Sequence, residues 1–369
     1  MRILLNAYSL LEGKKRLPLG NFNHALNLSI EMYKIIGENF FVLTDDNSFN
    51  IFSKYIPKEH ILTLGPAKIG YKKILFKEIK LPKILRKYKI DIIYSIDQLP
   101  FRKLKCKTIV NIADLDHFMS VNSKILKRIY KKISYLRTIS IANHITCPSY
   151  YTLHNLQKFY GISDKIISVI PHGTQGIEIL SFEIAKSINS KYWITFGHQK
   201  HKNCESAIGA IKSLNTKLNN PQKLVIIGES DYIQRHLKPF VHLNNLSSIV
   251  LFTGFIEKES LYGLIMNAEG LLYLSLSEGF GLPVIDAMKL GCPVIVSNKC
   301  ALPEIVGDAG IVCEPFDIFD IAEKMRLLTE DNSIRKTLID AGLRRASMFS
   351  WQKTAREIIN IIENLLLVK

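Results

Sequence analysis

The chain has 369 residues, of which 47% are hydrophobic and 22% charged, and it carries a formal net charge of +16. This length fits about two domains with a core in each, and no apolar run reaches the ~18 residues that a membrane span needs. The six cysteines, Cys106, Cys147, Cys204, Cys292, Cys300 and Cys313, are scattered without a C-x-x-C pair, which excludes a disulfide framework and a zinc site.

Met1–Ala7 is too short for a signal peptide and reads as a first buried strand, so a reducing, cytoplasmic setting is expected. Further strands are predicted at Phe40–Thr44, Ile92–Ser95, Thr108–Ile112 and His144–Pro148, with a helix over Phe22–Ile36 that Gly37 ends. Ile166–Pro171 reads as a short strand leading into a hinge. Beyond it, strands at Trp193–Phe196, Lys223–Ile227, Ile249–Phe252, Gly270–Leu274 and Pro293–Val296 alternate with helices near 203–217, 258–267 and 316–329. Trp351 opens an amphipathic helix with Ile358, Ile359, Ile361, Ile362 and Leu365. This alternation predicts α/β architecture with parallel sheets built from βαβ units.

Charge is unevenly placed. Residues 1–172 hold 28 Lys and Arg against 12 Asp and Glu, a net of +16, and the remainder is balanced. The excess is concentrated in 72–89, 103–107 and 124–137, where lysines interleave with Ile, Leu and Tyr as in cationic amphipathic helices. Such faces suit an anionic membrane surface, each basic residue there contributing ~1 kcal/mol. An ordinary solvated face is the alternative. No recognition motif accompanies the charge, so no nucleic acid is expected as partner.

The most informative stretch runs from Ser277 to Ser297, SEGFGLPVIDAMKLGCPVIVS. It reads as a strand end, a glycine loop, a short helix and a second strand. Gly279 and Gly281 permit close approach of the backbone or positive φ, Pro283 suits the first helical turn, and Gly291 with Pro293 closes the helix. Backbone N–H groups at such a start favour an anion. Glu278 precedes the helix and Asp286 is expected in its first turn, so both can grip hydroxyl groups beside a bound phosphate. That is the chemistry of a sugar nucleotide.

This segment resembles the signature of the retaining glycosyltransferases of family four, in which two carboxylates flank seven residues around a Gly-Phe-Gly-Leu-Pro core. Here they are Glu278 and Asp286, the second shorter by one methylene than the family's glutamate. The resemblance implies the GT-B fold, two facing Rossmann-like domains with parallel sheets and a cleft between them. The implied boundaries are an acceptor-binding domain over 1–172, a donor-binding domain over 173–350, and a helix over 351–369 that returns to the first domain. Ile170-Pro171-His172-Gly173 is similar to the family's element joining the domains.

The same resemblance implies the site. Lys202-Asn203 is similar to the pair whose lysine meets the donor diphosphate. The family's accompanying arginine is missing, leaving His198, Lys200 or His201 to substitute. Gly197, Gly228, Gly254 and Phe255 fall where the donor and its base are held, and Gly279, Phe280, Gly281 and Leu282 where phosphate and sugar are held. Gly20 stands where two glycines are usual. In Asn111–His117 the family's histidine is replaced by Ala113, with Asp114 following and His117 as a nearby imidazole. Candidate catalytic residues are therefore Glu278, Lys202, Asp286 and Asp114.

Asp114-Leu115-Asp116 also forms the Asp-x-Asp mark of the metal-dependent GT-A fold, but no second acidic cluster joins it. No metal or other cofactor is expected, and the nucleoside diphosphate sugar serves as co-substrate. Zinc-hydrolase, Walker, G-x-S-x-G and dinucleotide fingerprints are absent. The expected function is transfer of a hexose from that donor to a glycan or lipid-linked acceptor, in bacterial surface-polysaccharide synthesis, on the inner face of the membrane. A sugar-nucleotide hydrolase or epimerase and a catalytically silent binding subunit are the alternatives.

Overall fold

The structure, a computed structural model, describes residues 1–8, 20–66, 70–96, 99–100, 102–115, 125–163, 166–174, 176 and 181–367. The chain forms two compact units, one of Met1–Gly173 with Ser350–Lys369 and one of Thr174–Phe349.

In the first unit, β1 (Ile3–Asn6), β2 (Phe40–Thr44), β3 (Ile61–Thr63), β4 (Ile92–Ser95), β5 (Lys107–Asn111), β6 (His144–Cys147) and β7 (Ile167–Val169) form one sheet. Its order is β3-β2-β1-β4-β5-β6-β7, and every pairing is parallel. Parallel strands covered on both faces read as continuous apolar runs, which is why β2 and β4 match their predicted bounds. The Gly20–Ile36 helix turns Phe22, Ala25, Leu28 and Met32 inward. It packs on the Trp351–Leu367 helix, which buries Trp351, Ala355, Ile358, Ile359 and Ile362. The apolar spacing of that last helix, legible in the sequence, thus has its partner at the opposite end of the chain.

Three aromatic rings close this packing. His24 lies over Trp351 at 5.3 Å between ring centroids and beside His172 at 4.2 Å. Among the described residues, neither ring nitrogen of His24 has a hydrogen-bond partner. Burial pushes the His172 imidazole down to about 3, and burial followed by the neighbouring His172 holds His24 well below its ordinary value. Both rings are therefore neutral at physiological pH.

In the second unit, β8 (Tyr192–Phe196), β9 (Lys223–Ile227), β10 (Val250–Gly254), β11 (Gly270–Tyr273), β12 (Val294–Ser297) and β13 (Ile311–Cys313) form a parallel sheet. Its order is β10-β9-β8-β11-β12-β13. Trp193, Ile211, Leu224, Ile226, Leu272 and Ile295 centre its core. Because β8 lies between β9 and β11, the loops after these strands open side by side at one sheet edge. That edge is where ligands sit in open parallel sheets.

Candidate functional site

The site in the second unit is built from the carboxyl ends of β8, β9, β10 and β11. After β8, Gly197 packs where a Cβ would meet the Ile226 side chain at 2.5 Å. Lys200–Lys202 make one 3-10 turn, and Asn203 takes positive φ (55°) to start the Cys204–Asn215 helix. The Asn203 amide donates to the Pro315 carbonyl at 2.7 Å and its oxygen accepts from Ser206. This fixed turn directs Lys202 inward, where the residue is only 7% exposed.

Its ammonium forms a short ion pair with Glu278 and donates to the Tyr273 hydroxyl at 2.8 Å. That hydroxyl donates in turn to the Glu278 Oε1 at 3.0 Å. The two loops are locked by the Leu276 N–H, which donates to the His201 carbonyl at 2.8 Å. Burial alone would raise the Glu278 carboxyl, but the Lys202 charge and hydrogen bond hold it below the usual carboxylate range. Burial pulls on Lys202 in the same manner, and Tyr273 with Glu278 more than offsets it, so the ammonium stays charged. His198 is pushed down to about 4, by burial first and then by Lys202. It is therefore a neutral imidazole beside this pair.

Gly228 (φ 114°) and Gly254 (φ 68°) meet in a short bridge, the Gly228 N–H donating to the Gly254 carbonyl at 3.1 Å. A side chain on Gly228 would press on the Cβ of His198 at 3.3 Å. Gly197, His198, Gly228 and Gly254 thus line one approach, with Phe255 exposed just beyond it and Lys200 exposed on the preceding turn. Gly281 takes φ 110°, and the helix begins only at Leu282. Phe280 is buried edge-on against Phe349.

The late helix start corrects one expectation. Asp286 is the fifth helical residue, in the second turn, and the first turn holds no acidic side chain. Asp286 is hydrogen-bonded by Tyr262 from the Lys258–Met266 helix and faces the Lys289 ammonium. Glu278 and Asp286 consequently belong to two separate polar clusters. Two tyrosines, Tyr273 and Tyr262, went unread in the sequence because each sits in an apolar run and reads as core.

Asp114 and Gly20 belong to the first unit. Asp114 lines a polar cavity of about 90 Å³ with Asn21, Asn111 and Thr138, at the ends of β4 and β5. Gly20 is the exposed first residue of its helix, and a Cβ there would meet no atom within 4 Å. Asp116 and His117 lie outside the described residues. Among the described residues, no cluster of three or more His, Cys, Asp or Glu is arranged to hold a metal.

Two family profiles divide the chain between them. Residues 23–175 match Glycosyltransferase Family 4, and residues 178–345 match Glycosyl transferases group 1. The chain belongs to glycosyltransferase family four. O-antigen chain mannosyltransferase B of Escherichia coli is 32% identical over 162 residues, which is 44% of this chain and 42% of that protein. O-antigen chain mannosyltransferase RfbU of Salmonella typhimurium is 26% identical over 209 residues, 56% of this chain and 57% of that one. The chain spans less than half the length of the Escherichia coli relatives it matches.

Among solved structures, sucrose-phosphate synthase from Thermosynechococcus elongatus superposes with a TM-score of 0.79 at 18% identity, covering 100% of both chains. WaaG, a glycosyltransferase involved in lipopolysaccharide biosynthesis, gives 0.74 at 16%, covering 98% of this chain and 99% of that one. These likenesses place both parallel-sheet units in the GT-B fold.

Proposed function

We propose that the chain is a retaining glycosyltransferase that moves a sugar from a nucleoside diphosphate sugar to a glycan or lipid-linked acceptor in surface-polysaccharide synthesis. The observation that carries this reading is the buried Lys202–Glu278 pair at the end of the glycine-lined approach. As the glycosidic bond breaks, charge grows on the leaving diphosphate. A preorganised ammonium in a dry site stabilises that charge. Glu278 accepts hydrogen bonds from hydroxyls of the donor sugar, Asp286 from those of the ribose, and His198 or Lys200 supplements Lys202. The acceptor attacks on the face the leaving group vacates, and leaving-group oxygen helps take its proton, so neither a metal nor a dedicated protein base is assigned. Mannose is the favoured sugar, because the O-antigen relatives are mannosyltransferases. Ala113, standing where the family places histidine, favours a silent nucleotide-sugar-binding subunit as the second reading.

Thermal unfolding with UDP, GDP, dTDP and ADP, without added metal, separates the outcomes. A nucleotide at ~100 times its dissociation constant adds ~2.7 kcal/mol. One of the four is expected to raise Tm by several degrees, and less so in Asp286→Ala. Release of that nucleotide from its sugar donor distinguishes the enzyme from the silent subunit. A flat response to all four removes both.

The acceptor side draws on the Ile125–Ile141 helix, where Ile129, Ile133 and Leu136 are 50%, 53% and 44% exposed at helical spacing. Exposed Lys132 flanks them. An apolar stripe on a basic helix suits an anionic lipid surface and supports a working position on the inner face of the cytoplasmic membrane. No helix among the described residues is long and apolar enough to cross a membrane. The protein is expected to sediment with phosphatidylglycerol vesicles at low ionic strength and to leave them near ~0.5 M salt, where charges are screened within a few Å. Ile133→Glu should weaken binding at every salt concentration. Equal binding to neutral vesicles would end the membrane reading.

A further inference from the structure

The Tyr273 hydroxyl is the third member of the buried cluster, and its single proton is directed at Glu278 while a lone pair accepts from Lys202. The three groups differ in mobility. Lys202 sits on a flexible four-carbon stem. Tyr273 is the last residue of β11, fully buried, with its ring set edge-on against Phe196 at 6.1 Å between centroids. A donor diphosphate competes with Glu278 for the same ammonium. Tyr273 cannot follow Lys202 toward the phosphate.

We propose that Tyr273 is a positioning residue, whose hydroxyl keeps Glu278 hydrogen-bonded and ionised when the donor diphosphate draws Lys202 away. The inference rests on the donor-binding reading above and assigns a role within it. Without that hydroxyl, Glu278 would face a newly arrived anion from a buried position with its strongest partner displaced. A carboxyl so placed takes up a proton. The protonated acid donates where the carboxylate accepts, so it no longer orients the sugar hydroxyls. The other groups around Glu278 are His198 and His201 from the loop after β8, Ser275, and Cys300 from the segment before the Leu302–Val306 helix.

Tyr273→Phe retains the ring against Phe196 and beneath the ammonium, 4.9 Å from its centroid, and removes only the hydroxyl. The test is calorimetric titration at pH 6, in two buffers of different ionisation enthalpy, with whichever of UDP, GDP, dTDP or ADP raises Tm. Tyr273→Phe is expected to take up more protons per nucleotide bound than the wild type, approaching one. Adding Glu278→Gln to that variant should return uptake to the wild-type value, which identifies the carboxyl as the site. Equal uptake by wild type and a folded Tyr273→Phe overturns the proposal and leaves the donor-binding reading intact. If Tyr273→Phe does not fold, Glu278→Gln alone decides whether the carboxylate competes with diphosphate for Lys202. Its nucleotide affinity should rise several-fold, and an unchanged affinity refutes the competition. Failure of all four nucleotides to bind the wild type overturns both readings.

Discussion

Lys202→Met is expected to destabilise the second unit by about 3–5 kcal/mol, because removing one partner of a buried pair leaves the other as an uncompensated charge. Lys202 is nine-tenths buried and Glu278 is its ion-pair partner, so little solvent is at hand to absorb that charge. The effect carries a pH signature. In the wild type the Glu278 carboxyl lies below its ordinary value, so the stability it contributes is present above ~4.3 and fades as pH falls through the lowered value. In Lys202→Met the same carboxyl is raised, and its penalty applies at neutral pH and relaxes on acidification. Urea midpoints of the two proteins should therefore differ widely at pH 7 and converge toward pH 4. Parallel curves would show that Lys202 does not neutralise Glu278. If Lys202 also meets the diphosphate, sugar transfer should fall ~100- to 1,000-fold, the range seen when one preorganised charge-stabilising donor is lost.

A second large effect is expected in the first unit on mild acidification. The His172 imidazole is held near 3 by burial, whereas in the unfolded chain it titrates near ~6.5. Below that value the unfolded state binds the proton and the folded state does not, so stability falls as pH falls. Between pH 7.5 and pH 5 the loss from His172 comes to about 2 kcal/mol, and His24 adds to it in the same direction. His172→Phe keeps an aromatic ring beside Trp351 and removes the titration. Its stability should be flatter by about 2 kcal/mol over that interval in denaturant titrations. An equal decline in variant and wild type would show that His172 protonates within the folded state.

The residues whose chemistry depends on local spacing were legible in the sequence. Lys202 and Glu278 each stand at a strand-to-helix turn, and the glycines after β9 and β10 end obvious apolar runs. The bond between Lys202 and Glu278 was not legible. It depends on β8 and β11 being neighbours in the sheet, and they are separated in the chain by β9 and β10. Tyr273 was hidden for a related reason: in a strand buried on both faces a tyrosine looks like any other core aromatic, and its hydroxyl partner comes from another loop. Asp286 was displaced from the first turn because the αL conformation of Gly281 delays the helix, a backbone angle that composition does not reveal. The strands β3 and β13, like β7, have three residues and are too short to show periodicity, and β7 was read only through the Ile170–Gly173 element that follows it.

The route of the backbone has a consequence for synthesis. At Gly173 a Cβ would meet the Trp351 nitrogen at 2.1 Å, and the Thr174 N–H donates to the Phe349 carbonyl at 3.3 Å. The chain therefore departs from the first unit and rejoins it at one point, and residues 174–349 form an uninterrupted insertion with adjoining ends. On the ribosome that insertion is complete while the Gly20–Ile36 helix still lacks its partner, since the Trp351–Leu367 helix emerges afterward. The half translated first is thus the half finished last. Until then the His24 side of that helix, which Trp351 covers, is open to chaperones, and a ribosome stalled before residue 350 would leave it so.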